Sequence, residues 1–512
     1  MSMPAEHLTT SVTLADLLQG FASAPALPVH GIASDSRVLQ RGDLFLAVQG
    51  IGSHGLDYVQ EARAAGVCAV AWDASTAAEP EDIGVPMIAV AGLAGKLGEI
   101  ADRFYGRPSE QLDVIGVTGT NGKTTVAWML AQAHELCGDR CAYLGTLGCG
   151  VDVVHGAEGM TTPAAVELHG RLADFVQQGA VSAAIEVSSH ALDQDRVNGV
   201  RFGAAIFTNL TRDHLDYHAD MRHYFEAKAR LFVDCEPRNR IVAVDSDYGT
   251  ELADRCGRDV VLVSTRANRV PDNRPYVFIR SLEATQHGSD VTFTSTWGNG
   301  AFTLPMPGAF NVANAALVLA FLLKKGVPLE LACDVMSQLS APPGRMQRVA
   351  VDAVDRSLQC MTKDGPAVYV DYAHTPDALD VVLRALRAHC RGKLWCVFGC
   401  GGERDAGKRP EMGLVAETHS NRVVVTTDNP RNEDALAIIE DIVAGMTKPD
   451  GAMVIEDRAA AIAWAVERAG EDDIVLVAGK GHENYQDIAG SRIRFSDYAV
   501  AESALRAQGG VA

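Results

Sequence analysis

The stretch Asp113–Thr125 reads DVIGVTGTNGKTT, and VAWMLAQAHELCG (Val126–Gly138) follows it. A short β-branched run closed by glycine reads as a strand, and the longer apolar segment after it reads as a helix. Between them lie Gly119, Thr120, Asn121, Gly122, Lys123, Thr124 and Thr125. Glycines let backbone N–H groups approach phosphate oxygens, and the helix N-terminus adds the positive end of its dipole. In such a loop Lys123 lies against the β- and γ-phosphates, and the Thr124 hydroxyl ligates Mg²⁺. The generic phosphate loop has a glycine about five positions before Gly122; this chain has Val117 there, so the loop is a shorter variant. The competing reading is a glycine turn with an incidental lysine, and the strand–loop–helix order argues against it.

The same alternation of short apolar strands with longer helical patterns runs through the chain, which predicts α/β architecture with mostly parallel sheets. Three domains are expected: residues 1–110, 111–342 and 343–512. The first carries a strand at Gly42–Val48, a helix over Leu56–Gly66, a strand at Val67–Trp72 and a linker at Tyr105–Gln111. The second adds strands at Ala183–Val187, Ala204–Asn209 and Arg240–Val244, and the helical ANAALVLAFLLKKG (Ala313–Gly326). The breaker cluster SAPPGRMQRV (Ser340–Val349) separates it from the third. There AVYVDYAH, LWCVFGC, RVVVTTD and DIVLVAGKG are apolar strands with polar or glycine-rich tails. Ligands of open α/β sheets collect at the carboxyl ends of strands, so those tails are the expected site.

Composition narrows the function classes. The 512 residues include 45 Lys plus Arg against 65 Asp plus Glu, a formal net charge of −20. Nonspecific nucleic-acid binding and docking to anionic membranes both need a positive field, so neither partner is expected. No run reaches the roughly 18 apolar residues of a membrane span. The opening MSMPAEHLTT lacks the basic start and apolar stretch of a secretory leader. Eleven cysteines are scattered, mostly in apolar runs, as suits buried thiols in a reducing cytoplasm. Cys396 and Cys400 have no second pair or His cluster to complete a zinc site.

TGTNGKTT resembles the ATP loop of the Mur ligases, the ATP-dependent amide-bond ligases of bacterial peptidoglycan precursor synthesis. The resemblance extends over nearly the whole chain. It implies an N-terminal UDP-binding domain, a central ATPase domain and a C-terminal Rossmann-like domain; a cytoplasmic location is expected from the cysteines and the opening residues, and a monomer is expected. Glu186, at a strand end in AAIEVSSHALDQDR, and His214, in NLTRDHLDYH, match magnesium ligands. Read alone, a loop histidine is usually solvated and a helix lysine such as Lys228 is usually a surface charge. By resemblance Lys228 is carbamylated by CO2 and helps hold a second metal, which requires a neutral amine and hence a depressed pKa. Asn314, Arg345 and Asp371 match positions around adenine, phosphate and ribose. Arg345 lies in the linker, where domain closure would bring it to the phosphates.

SDSR (Ser34–Arg37) before GDLFLAV resembles the uridine-diphosphate region of family members that add the third peptide residue, with Ser34 and Ser36 as contacts. Thr161, Thr162, Ser188, Gln194 and Arg196 match contacts to UDP-MurNAc-L-Ala-D-Glu. DNPR (Asp428, Asn429, Pro430, Arg431) and GKGHE (Gly479–Glu483, with Glu483 last) end two strands, and GGERD supplies Arg404. In this family DNPR marks enzymes that take meso-diaminopimelate rather than L-lysine. Diaminopimelate carries a second carboxylate, and a guanidinium binds one bidentately through charge-assisted hydrogen bonds of about 1.5–3 kcal/mol each. Arg404 and Arg431 left unpaired by lysine would discriminate strongly, and Glu483 can accept the distal ammonium. The implied reaction passes through an acyl phosphate on the D-Glu γ-carboxylate, with Lys123 and Mg²⁺ neutralising charge. No residue stands out as a general base. The alternatives are a lysine-adding relative, which should not keep Arg431, and a folylpolyglutamate synthase-like ligase, which should lack SDSR and DNPR. A non-catalytic scaffold would be expected to lose Lys123, Glu186 or Lys228.

Overall fold

The computed structural model describes residues 12–50, 52–156, 159–266, 273–350 and 365–508; the expectation drawn from Met1–Thr10 lies outside them. The chain forms two compact units, Met1–Leu262 and Val263–Ala512.

The first unit holds a small sheet of β1 (Gly31–Ala33), β2 (Asp43–Ala47), β3 (Ala69–Asp73) and β4 (Met87–Val90), parallel and in sequence order. The apolar face of the helix Leu97–Phe104 closes its core through Ile100 and Ala101. Next come β5 (Asp113–Thr118), β6 (Cys141–Gly145), β7 (Gly148–Val151), β8 (Ser182–Glu186), β9 (Phe202–Phe207) and β10 (Asn239–Ala243), in the order β10-β9-β5-β8-β6-β7. β8 and β9 are buried along their whole length, and β5 after its first residue, which is why they read as apolar runs rather than alternating ones. β5 sits between β9 and β8. The chain departs to opposite sides of it, a topological switch point that opens a crevice at the strand ends.

The boundary between the units falls within β11 (Val261–Ser264). The second unit opens with an antiparallel meander, β12 (Tyr276–Thr285), β13 (Gly288–Ser295) and β14 (Gly298–Leu304). The helix Ala309–Lys324 follows, apolar almost all round and buried from Asn314 to Leu323. Then β15 (Gln347–Arg348), β16 (Ala367–Asp371), β17 (Leu394–Phe398), β18 (Arg422–Val425), β19 (Ala452–Val454) and β20 (Ile474–Ala478) form a sheet in the order β15-β16-β20-β17-β18-β19. All of its pairs are parallel except the edge strand β15. Separate apolar cores cover its two faces. A hairpin of β21 (Tyr485–Ile488) and β22 (Ser491–Arg494) follows.

Two local expectations need correction. The segment read as one helix over Leu56–Gly66 is a 3-10 turn, Gly55–Tyr58, capped by His54 and Asp57, followed by the α-helix Val59–Ala65. The linker Tyr105–Gln111 holds a helical turn, Pro108–Gln111, which Pro108 starts with its fixed φ. The sheets are mostly parallel, as expected; the antiparallel pairs in the larger sheet come from β7 and the β12–β14 meander.

Candidate active site

β5 delivers the glycine loop to the switch point, and the helix Lys123–Leu136 starts directly after Gly122, whose φ is +87°. Gly119 has φ +149°, and a Cβ there would collide with Thr208 Oγ1, so only glycine fits. One asparagine and two threonines just after β9 hold the loop: Thr120 N donates to Asn209 O at 2.9 Å, and Asn121 N to Asn209 Oδ1 at 3.0 Å. Thr208 Oγ1 donates to Asn121 O at 2.6 Å, and Thr211 N to Thr120 Oγ1 at 3.0 Å. Lys123 Nζ donates to the carbonyls of Gly119 and Thr120 at 3.0 and 2.9 Å. Thr125 is buried in the first helical turn.

Glu186 ends β8 fully buried. Its Oε2 accepts from Thr124 Oγ1 at 3.0 Å, and its Oε1 from Tyr143 OH at 2.6 Å and Thr146 N at 2.8 Å. The carboxylate fits because residue 145 is glycine; a Cβ there would strike it. A threonine hydroxyl beside a carboxylate is a hard-oxygen pair of the kind Mg²⁺ prefers. Among the described residues no group of three or more His, Cys, Asp or Glu gathers around a metal position.

Lys228 is 1% exposed and donates to Gly119 O at 2.8 Å. Burial, then the charge of Lys123, hold its amine well below the ordinary lysine range, with Asp213 opposing. The Tyr224 ring lies under it at 4.5 Å, and burial pushes that phenol up to about 12. His214, at φ +52°, packs edge-on against His190 at 5.0 Å and Tyr224 at 5.9 Å. Tyr224 thus touches both His214 and Lys228, and His214 is exposed beside Asp213.

The matched dipeptide contacts form one network around Glu186. Thr162 Oγ1 donates to Glu186 O at 2.7 Å and accepts from Ser188 N at 3.1 Å. Thr161 Oγ1 lies 3.3 Å from Thr146 Oγ1. Ser188 caps the helix Ser189–Asp193. Arg196 donates to Thr162 O at 3.1 Å and through Nε to Gln194 Oε1 at 3.0 Å. Ser34 directly follows β1 of the small sheet of this unit, and Ser36 opens the 3-10 turn Ser36–Val38, capped by Asp35.

In the second unit, Asp371 ends β16 and accepts from Met346 N and Ala373 N, both at 2.7 Å. Burial raises its pKa, while these two amides oppose the shift. The Arg345 guanidinium lies 5.8 Å from the Tyr372 ring, and its Nε is buried with no hydrogen-bond partner. Tyr372 in turn packs on His482, at 5.6 Å. Burial, reinforced by Arg345, lowers the His482 pKa. Asn314 is buried in the helix Ala309–Lys324.

The DNPR and GKGHE segments meet through Lys480, a residue sequence reasoning passed over. Fully buried, its Nζ donates to Asn429 Oδ1 at 2.8 Å and pairs with Glu483 Oε2 at 3.0 Å; Asp428 Oδ1 is 3.9 Å away. Asn429 Nδ2 also donates to Glu483 Oε2, at 2.9 Å. Gly479 N donates to Asp371 O at 3.1 Å, and Pro430 O accepts from Glu433 N. Arg431, at φ +52°, is fixed by β21 and the turn after it: its N donates to Asp487 O at 2.9 Å, and its O accepts from Ala489 N at 2.7 Å. Its Nη1 donates to Gly402 O. Arg431 Nη1 and Arg404 Cγ flank one spot, lying 3.2 and 3.9 Å from where a Cβ of Gly401 would stand. Arg404 is exposed and Arg431 half-buried. Among the described residues, neither guanidinium has a carboxylate partner.

A phosphate loop at a switch point, a Thr–Glu pair beside it and a second Rossmann-like sheet with charged strand-end loops define a nucleotide-dependent ligase. The chain belongs to the Mur ligase family. Its residues 28–105 match the Mur ligase family catalytic domain, 117–322 the Mur ligase middle domain and 356–481 the Mur ligase glutamate ligase domain. It is 43% identical over 502 residues to a UDP-N-acetylmuramoyl-L-alanyl-D-glutamate--2,6-diaminopimelate ligase of Xanthomonas campestris pv. campestris, covering 97% of this chain and 98% of that one. The ligase of the same name from Coxiella burnetii is 44% identical, over 93% of this chain and 96% of that one. A solved structure of an enzyme of that name superposes with a TM-score of 0.73 at 33% identity, covering 98% of this chain and 99% of that one. Among the described residues no helix is long and apolar enough to cross a membrane.

Proposed function

We infer that this chain is an ADP-forming ligase of peptidoglycan precursor synthesis. It joins meso-2,6-diaminopimelate to the D-Glu γ-carboxylate of UDP-MurNAc-L-Ala-D-Glu. The observation that carries this reading is that Arg431 Nη1 and the Arg404 side chain, through its Cγ, both come up to Gly401, and among the described residues neither arginine has a carboxylate partner. They suit the distal carboxylate that diaminopimelate has and lysine lacks. Lysine-adding and folylpolyglutamate-type readings leave both cations idle.

In the reaction a γ-carboxylate oxygen attacks the γ-phosphorus of ATP and ADP leaves. The diaminopimelate amine then attacks the acyl carbon, phosphate leaves, and the amine sheds its proton. Lys123, released from its two loop carbonyls, neutralises the phosphates, and the loop amides cradle them. Thr124 and Glu186 are the residues that would hold Mg²⁺, joined by His214 and a carbamylated Lys228; the ion would screen charge on the transferring phosphoryl group. Thr161, Thr162, Ser188, Gln194 and Arg196 bind the dipeptide end of the substrate, and Ser34 and Ser36 the uridine-diphosphate end. Asn314, Arg345 and Asp371 serve ATP. Glu483, with Oε2 held by Lys480 and Asn429, offers its second oxygen to the distal ammonium, and Asp428 and Gly479 complete that pocket. Residues 1–110, 111–342 and 343–512 are the three domains of this reading. The ten described cysteines are all free, which suits a reducing cytoplasm.

Purified protein mixed with UDP-MurNAc-L-Ala-D-Glu, ATP and Mg²⁺ should release phosphate on addition of meso-diaminopimelate. Release with L-lysine alone contradicts the specificity, and release with neither contradicts the ligase reading.

A further inference from the structure

The strands carrying the two amino-acid loops are not neighbours, because β17 lies between β18 and β20. One buried side chain nevertheless ties their ends together. Arg458, 1% exposed at the start of the helix Arg458–Arg468, donates from Nη1 to Thr427 O at 3.0 Å and from Nη2 to Ala478 O at 2.9 Å. Thr427 directly precedes Asp428 of DNPR, and Ala478 directly precedes Gly479 of GKGHE. Nε and the second Nη2 hydrogen go to Asp497, also fully buried, as a bidentate pair with both distances 2.7 Å. Asp497 opens the helix Asp497–Gln508 and so anchors the guanidinium from outside the sheet.

A buried ion pair is weak support for stability, since a well-packed apolar pair of similar volume often serves as well. An apolar pair cannot hydrogen-bond the last carbonyl before each of two loops from one rigid plane. We propose that Arg458 is a positioning residue for the amino-acid site, setting the spacing of the DNPR and GKGHE loops so that Arg431 and Glu483 grip the same substrate. This rests on reading those loops as the amino-acid site. Small displacements of binding groups are enough to cost activity severely.

The test compares the parent enzyme with Arg458→Lys, which keeps a charge for Asp497 but loses the planar fork, and with Arg458→Met/Asp497→Leu, which leaves no buried charge unpaired. Steady-state constants are measured for each of the three substrates, with the thermal midpoint as a folding control. The double variant should melt within a few degrees of the parent, with KM for meso-diaminopimelate raised about tenfold or more and KM for ATP within about twofold. Unchanged amino-acid KM in a folded variant overturns the proposal, as does an equal change in all constants. Failure of both variants to fold makes Arg458 a folding residue and overturns it too. If the parent itself ignores meso-diaminopimelate, the functional reading fails instead. If the parent takes L-lysine, the same split of KM values decides the role of Arg458.

Discussion

Lys228 Nζ and Gly119 O are joined by a 2.8 Å hydrogen bond, which fixes a buried amine on the first glycine of the phosphate loop. The carbonyl and the Tyr224 ring are partners an ammonium can use, yet burial and the nearby Lys123 weigh against its charge. An amine held neutral is nucleophilic toward CO2, and the carbamate it forms would reverse its sign.

If Lys228 works as a carbamate, Lys228→Ala loses most activity, and added acetate or another short carboxylate restores part of it. Phosphate release with and without acetate measures this. An unimpaired mutant removes the role.

Glu186 is held by Thr124, Tyr143 and Thr146, so Glu186→Gln keeps its shape while removing its charge. Activity should fall on the order of 100-fold, and the magnesium concentration for half-maximal rate should rise. A chelator should abolish parental activity, and an unchanged magnesium titration in the mutant speaks against Glu186 as a ligand.

Arg431→Ala removes a guanidinium worth about 1.5–3 kcal/mol to a bound carboxylate. That corresponds to a rise of roughly 10- to 150-fold in KM for meso-diaminopimelate, with KM for ATP unaffected. Initial rates over both substrates check it, and a KM within twofold of the parent contradicts the assignment.

A stability prediction comes from the small-sheet side of the first unit. Asp102 is buried, its Oδ1 has no hydrogen-bond partner, and His169 Nδ1, equally unpartnered, lies 3.6 Å away. Burial pushes the Asp102 carboxyl up to about 6, against the pull of Arg201 and Arg107. An acid with a raised folded pKa stabilises the fold below its unfolded value and loses that contribution as pH rises toward 6. Asp102→Asn does not titrate, so its stability relative to the parent should improve from about pH 4 to about pH 7.5, by at most about 3 kcal/mol. Denaturant melts at the two pH values read this directly; a difference independent of pH contradicts it.

How far the sequence disclosed this molecule depends on the range of the interactions. Asp113–Thr125 was legible because strand, glycines and helix are consecutive, and the structure forms them in that order. Glu186 and Lys228 carried no local signal; their meaning came from family resemblance, and only the fold shows one beside Thr124 and the other on Gly119. Lys480 was overlooked because a lysine between glycines reads as solvated, whereas β20 buries it against Asn429, 51 positions away. The meander β12–β14 escaped because its exposed residues blur the alternation that marks a strand, as at Glu283 and Arg280. Arg458 and Asp497 are 39 positions apart, and nothing in either local sequence announces the pair.

The most direct measurement is a competition. The enzyme, UDP-MurNAc-L-Ala-D-Glu, ATP and Mg²⁺ are incubated with equal concentrations of meso-diaminopimelate and L-lysine, and the nucleotide product is weighed by mass spectrometry. The product should carry diaminopimelate in excess of about 100-fold. A product carrying mainly lysine would contradict the roles given to Arg404 and Arg431.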